Sequence, residues 1–323
     1  MYRYIVKRLL LMVPTLLGAA ALVFTLMRLI PGDICAMRLG SGGGTIDTRA
    51  LAQCHRDIGA DRALPLQFFD FVWGFVQFDF GKSMWSGKPV AEEILARLPI
   101  SLEIALLATL VAVAMAVPMG ILSALHQNSW IDYCVRTFAV AGLAMPSFWL
   151  GIISILVVLD VTHALTGKAW MPPIDYVPFW KDPLNNLAMA MLPALTVGYR
   201  YSAVTMRMMR SAMLEVMRED YIRTARAKGL LHKVIINRHA MKNALLPVVT
   251  LVGIEFAFLI GGLVVTEQVF NLNGVGRLFV QAVLNQDYTL TQALVMLVVV
   301  IFVFTNLIVD LAYAWLDPRI RFS

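Results

Sequence analysis

The chain has 323 residues, 59% hydrophobic and 15% charged, with a formal net charge of +6. Soluble globular domains average roughly 45–50% apolar and about 25% charged residues, so this composition excludes an ordinary soluble domain and indicates an integral membrane protein. The basic residues concentrate between Arg207 and Lys242 and at the two ends, where flanking apolar runs account for them, so the charge does not indicate nucleic-acid binding.

Arg3, Lys7 and Arg8 precede an apolar run from Leu9 to about Ile30. That run is long enough to cross a bilayer, too long for the apolar part of a signal peptide, and lacks a small-residue cleavage site after it, so it reads as a retained first span. Residues 31–99 form the largest polar region. It opens on turn residues Pro31, Gly32 and Asp33 and a glycine cluster at Gly40–Gly44. Leu64–Phe80 is aromatic-rich but interrupted by Asp70, Gly74 and Asp79, which favours a segment lying along the membrane surface or capping the outer face. Pro89 sits near a helix start, with Glu92 and Glu93 in the first turn where the helix dipole favours them.

Five further spans are predicted at about Ser101–Leu125, Val135–Leu159, Leu187–Met209, Pro247–Phe270 and Leu290–Leu316. The region Arg207–Lys242 holds nine Lys and Arg, whereas residues 160–186 and 271–289 hold only Lys168, Lys181 and Arg277. With six spans, the positive-inside rule places the basic loop and both termini in the cytoplasm and residues 31–99 outside. The predicted organisation is a first span over 1–30, an outer region over 31–99, and a five-helix core over 100–323 with a cytoplasmic loop at 210–246.

Catalytic and cofactor motifs are not met. Phe80-Gly81-Lys82-Ser83 looks like the end of a phosphate-binding loop, but the glycine needed five residues before Gly81 is Val76. Gly40 and Gly42 are followed by Thr45 where a dinucleotide fingerprint needs glycine. No HExxH or nucleophile elbow occurs, so neither an enzyme site nor a bound cofactor or metal is predicted. Cys35 and Cys54 share the outer region and are a candidate disulfide if it faces an oxidising compartment, two free thiols being the alternative.

The main charged stretch is Glu219–Pro247. Glu219–Lys228 is built of helix formers, Gly229 interrupts, and Leu231–Asn243 resumes helical character before Pro247 opens the next apolar run. Charge alone leaves it open whether this is a generic positive-inside loop or a working surface. Within the spans, Arg200, Glu255 and Asp310 are ionisable, and each lies roughly 10 Å inside its cytoplasmic end. A structural pairing of Arg200 with Glu255 or Asp310 is expected, with a role in the pathway as the alternative. Gly253, Ala257 and Gly261 place small residues on one helix face, a packing seam toward either this chain or a partner.

Several segments together resemble one family. Tyr221–Gly229 (YIRTARAKG) followed by RHAMKNALLP is similar to the cytoplasmic EAA-type loop of bacterial ABC importer permeases, in the form used by the dipeptide/oligopeptide/nickel group. The similarity extends to Ile30–Asp33 (IPGD), Gly87–Pro99, Met145–Gly151, Phe270–Leu278 and Asp317–Arg321 (DPRIR), covers essentially the whole chain, and looks like the B-type subunit. The general loop pattern begins Glu-Ala-Ala, whereas this chain has Arg223, Thr224 and Ala225; after IPGD, Ile34 and Cys35 stand where proline is frequent.

The resemblance implies an all-α polytopic fold like that of type I importer permeases, with six transmembrane helices in the bacterial inner membrane. It also implies a second homologous permease, two ATPase subunits that hold ATP and Mg, and an extracytoplasmic substrate-binding protein, all around a chain embedded in lipid. Glu219, Asp220, Tyr221, Thr224, Ala225, Ala227 and Gly229 would form the ATPase-docking element. A secondary transporter using Arg200, Glu255 and Asp310 as coupling charges is the alternative, disfavoured by the lack of an evident inverted repeat.

Overall fold

A computed structural model describes residues 2–29, 35–36, 47–57, 59 and 61–316. The motifs Ile30–Asp33 and Asp317–Arg321 and the glycine cluster Gly40–Gly44 lie outside the described residues. The described residues form helices and loops, with one isolated bridge between Lys82 and Pro89.

Helix α1 spans Tyr2–Leu29, and after it the described residues include α2 (Thr48–Asp57) and α3 (Leu64–Gln77). Helix α4 runs from Val90 to Leu125 without a break at Pro99, so the outer region and the first core span share one element. Its 36 residues correspond to about 54 Å, well beyond the roughly 30 Å of a hydrocarbon core. The remaining helices are α5 (Trp130–Ala144), α6 (Ser147–Thr166), α7 (Pro183–Val216), α8 (Asp220–Ala227), α9 (His232–Gly262), α10 (Val264–Val269), α11 (Val275–Leu284) and α12 (Tyr288–Leu316). Within α9, Ile235–Ala240 is wound as a π-helix.

Among the described residues, five helices are long and apolar enough to cross a membrane: Val6–Leu29 of α1, then α4, α6, α9, and Tyr288–Ala312 of α12. The expected span Val135–Leu159 is corrected. The helix stops at Ala144, Met145 is extended at φ −89°, ψ 127°, and α6 begins after Pro146. A residue before proline is pushed out of the helical region, and the proline itself has no N–H to donate. Expected span Pro247–Phe270 shifts too: α9 starts at His232, carries Pro247 inside, and ends at Gly262 before the separate turn of α10.

Helix α7 has the length of a span but is too polar for that group of five, since it carries Asn185, Asn186, Arg200, Arg207 and Arg210. Its packing explains the polarity. α7 touches α4, α5, α6 and α9, and its pairing with α4 is the most extensive in the molecule. Asn186, Thr196, Ser202 and Thr205 are therefore buried against protein.

Small residues every fourth position make that pairing close. Ala108, Ala112, Ala116 and Gly120 on α4 are buried, as are Ala190, Ala194, Gly198 and Ser202 on α7. A Cβ on Gly198 would lie 2.7 Å from the Ala108 carbonyl oxygen, and one on Gly120 would lie 2.9 Å from that of Met206. Such seams let backbones approach where no side chain intervenes. An apolar cluster at each end continues the core. One joins Val90 and Ile94 to α11 and α12; the other gathers the ends of α4, α7 and α9 around α8.

Candidate functional site

Helix α8 is a short element fixed at one face and open at the other. Ile222 and Ala225, three apart and so on one side of the helix, are buried among Met209, Met213, Ile235, Ala240 and Ala244. Glu219, Asp220, Tyr221, Thr224 and Ala227 are exposed. Ala225 thus anchors the helix instead of facing outward with its neighbours. Tyr221 reaches back to α9, where Asn243 Nδ2 donates to its hydroxyl at 2.7 Å.

The end of α8 is set by Gly229 at φ +75°, a left-handed conformation that only glycine adopts without steric cost. Its N–H donates to the Arg226 carbonyl at 2.9 Å, and the Leu230 N–H donates to Ala225 at 3.4 Å. This is the two-bond termination that satisfies the last carbonyls of a helix. After Leu231 the chain enters α9, so the second half of Glu219–Pro247 is the start of a long helix instead of a separate surface one.

A buried ion pair locks the same end of the bundle. Arg210 of α7 grips Asp132 at the start of α5 with Nη2–Oδ2 at 2.8 Å and Nε–Oδ1 at 2.9 Å. Ser123 Oγ and the Asn128 N–H donate to the same carboxylate. The hydrogen bond from Arg210, reinforced by these donors and outweighing the cost of burial, holds the Asp132 carboxyl well below the usual carboxylate range. Three helices, α4, α5 and α7, are tied at one point.

The intramembrane charges are arranged differently from the expected pairing. Asp310 meets Arg8 of α1 at 3.0 Å. Glu255 is buried and accepts a hydrogen bond from Thr205 Oγ1 at 2.8 Å. Arg200 is exposed and makes no ion pair with either carboxylate among the described residues. The correction has a geometric reason: equal depth from the membrane surface says nothing about which face of α7 a residue occupies. Ser202 and Thr205 face inward there, and Arg200 does not.

The small-residue face of α9 closes within the chain. A Cβ on Gly253 would lie 2.0 Å from Val309 Cγ2, and one on Gly261 would lie 3.3 Å from Val298, both on α12, while Ala257 between them is buried. Cys35 and Cys54 form a disulfide with a Cα–Cα distance of 5.8 Å.

At the opposite end of the bundle, two buried carboxylates join several elements. Glu267 on α10 accepts from Ser101 Oγ of α4 and from the Arg277 N–H, both at 2.7 Å, apart from the amide of Gly276. Ser101 Oγ in turn accepts from the Val275 N–H at 2.8 Å. Burial pushes the Glu267 carboxyl above its ordinary value, against those donors. Asp287 accepts from Ser83 Oγ, from the Trp85 N–H and from the Leu290 N–H, so it pins the loop before α4 to the start of α12. Beside it opens a cavity of about 530 Å³ whose wall includes Lys88, Glu92, Glu93, Arg97 and Asn273. Groups of both signs line it, with Arg97 paired to Glu93 at 3.3 Å.

Sequence reasoning missed Glu267, although it falls inside a span drawn there. The signal for Glu267 was its place three residues before the Phe270–Leu278 motif, whose glycine Gly274 has no room for a Cβ: that atom would lie 2.1 Å from Glu267 Oε1.

Residues 116–322 match the family described as "Binding-protein-dependent transport system inner membrane component", and residues 1–105 match its N-terminal counterpart, "Binding-prot-dependent transport system membrane comp, N-term". A putative peptide transport system permease protein of Brucella abortus is 38% identical over 319 residues, covering 99% of each chain. The glutathione transport system permease protein GsiC of Pectobacterium atrosepticum is 38% identical over 323 residues, covering 100% of each, and that of Salmonella typhimurium is 37% identical over the same length. Among solved structures, inward-facing forms of the MetNI methionine ABC transporter superimpose with TM-scores of 0.54 and 0.51 at 14% and 17% identity. They cover 70% and 69% of this chain and 96% of each of those chains, a likeness of fold.

Proposed function

The chain belongs to the binding-protein-dependent transport system inner membrane component family, and from that membership we propose that it is the permease subunit of an ATP-driven importer of peptides, glutathione included. It crosses the bacterial inner membrane six times, α7 supplying the crossing that hydropathy alone does not count, with both termini in the cytoplasm. It forms the pathway with a second, homologous permease. An extracytoplasmic binding protein delivers the substrate, and the cavity bounded by Lys88, Glu93 and Arg97 is where a zwitterionic peptide first meets this chain. The chain holds no nucleotide itself; ATP and Mg are bound by two ATPase subunits.

The observation that carries the coupling part of this reading is the two-sided character of α8. Its inner face is packed into a cluster shared by α4, α7 and α9, so a displacement of α8 is passed to three long helices at once. Its outer face leaves Asp220, Tyr221 and Thr224 for a partner. An ATPase that closes on nucleotide thereby biases the bundle between two packings.

Thiol cross-linking in the assembled transporter tests the docking face. In a Cys134→Ser background, which removes the exposed free thiol, Thr224→Cys is expected to join to an ATPase subunit through a short bifunctional reagent, and Ala225→Cys is not. Equal capture at both positions, or capture at neither, would contradict docking by this face.

A further inference from the structure

Helix α3 carries apolar side chains on two opposite sides. Phe68, Phe71, Val72 and Phe75 pack on Ala20 and Val23 of α1 and Met296 of α12, with Phe24 and Phe68 edge to face at 5.3 Å. The other stripe, Leu66, Phe69, Trp73 and Val76, is between 52% and 64% exposed, and Phe69 stacks on Trp73 at 6.2 Å. We propose that α3 is an interfacial helix whose Leu66–Phe69–Trp73–Val76 stripe is embedded in the outer leaflet of the bilayer, so that lipid acyl chains cover it.

Depth supports this occupant. Phe24 and Ala20 lie five and nine residues before the end of α1 at Leu29, which places α3 about 8 to 14 Å below the outer end of that span. Interfacial helices bury their apolar face roughly 5–10 Å into the headgroup and acyl boundary, so the levels agree. The polar edge of α3 sits where headgroups would be. Gln67 accepts from Arg28 of the last turn of α1, whose guanidinium also lies 3.4 Å from the centroid of the Phe24 ring, and Asp70 pairs with Arg62 at 2.8 Å. Charged and amide side chains clustered on one edge need headgroups or water within reach, which sets that edge at the interface level.

Position in the bundle points the same way. α1 packs on α12 and α3, and its Leu10, Leu17, Leu22 and Leu26 are exposed, so α3 lies at the lipid margin of the molecule. An aromatic pair with no charge on its stripe fits the aromatic belt of a membrane boundary better than a protein partner in water. The inference rests on reading α1 as a span.

Site-directed spin labelling of the complete transporter in nanodiscs tests it. Labels at Leu66→Cys, Phe69→Cys, Trp73→Cys and Val76→Cys, again with Cys134→Ser, are expected to collide with oxygen several-fold more than with a water-soluble nickel chelate. Gln77→Cys on the polar edge is expected to show the reverse, and Leu17→Cys in mid-span the strongest oxygen preference. Nickel access along the stripe, or access to neither reagent because protein covers it, overturns the proposal while an oxygen preference at Leu17→Cys leaves the span intact. Nickel access at Leu17→Cys would instead overturn the span reading. Leu66→Cys and Val76→Cys, away from the Phe69–Trp73 stack, keep the test valid if the aromatic variants assemble poorly.

Discussion

Among single residues, Asp132 holds the clearest energetic stake. Its carboxylate is buried at the junction of α4, α5 and α7 and receives a two-pronged grip from Arg210. Removing one partner of a buried pair costs roughly 3–5 kcal/mol, because the other charge is left without compensation. Asp132→Ala is therefore expected to lower the thermal midpoint of the detergent-solubilised protein clearly at pH 7. The pH sign follows from the depressed folded-state value. A carboxyl lowered on folding stabilises fully above its unfolded value of about 4 and loses that contribution as pH falls through the range below. The gap between Asp132→Ala and the parent should narrow on acidification below that point. Equal midpoints at pH 7 would show that the pair contributes little.

At the level of elements, α8 and its glycine stop carry the next expectation. Gly229→Ala keeps the amide that donates to Arg226 and costs about 1–2 kcal/mol for a left-handed non-glycine residue. Gly229→Pro removes that donor and forces φ to about −65°, so the exit from α8 has to rearrange. The first variant should retain most transport-coupled ATP hydrolysis and the second should lose it, with both still inserted in the membrane. A Gly229→Pro protein with full coupling would detach the glycine from the role given to it.

Elements of this kind were also the most legible in the sequence. The stop at Gly229, the start near Pro89 with Glu92 and Glu93 in the first turn, and the aromatic segment from Leu64 each follow from local chemistry, and local chemistry is what a sequence displays. Pairings between helices were less accessible. Depth alone pairs Arg200 with Glu255 or Asp310, yet rotation about the helix axis decides partners, and Arg8 and Thr205 hold those carboxylates instead. The break at Met145–Pro146 was readable from the proline but was overridden by the continuity of apolar residues on either side. The α4–α7 seam was readable as well, from small residues every fourth position in both segments. Its polar neighbours mask it, because hydropathy scores a residue without knowing whether lipid or protein will face it.

For the whole molecule, the fold sets α8, the proposed docking helix, against one set of ends of α4, α7 and α9 and two buried carboxylates at the far ends of α4, α10 and α12. Between them runs the closely packed α4–α7 pair, with no flexible linker to absorb a displacement. The proposed ATPase-driven permease requires a rigid connection of this kind, and a gradient-driven carrier with its coupling charges at mid-membrane does not. The most direct test is uptake of a radiolabelled dipeptide or glutathione by the complete transporter in proteoliposomes, with ATP and Mg on the cytoplasmic side and an uncoupler present. Uptake is predicted to persist with the uncoupler, to require ATP, and to fall to background in Thr224→Trp, whose exposed position leaves folding and insertion unchanged. Uptake by the isolated chain that ignores ATP and disappears with the uncoupler would contradict the account.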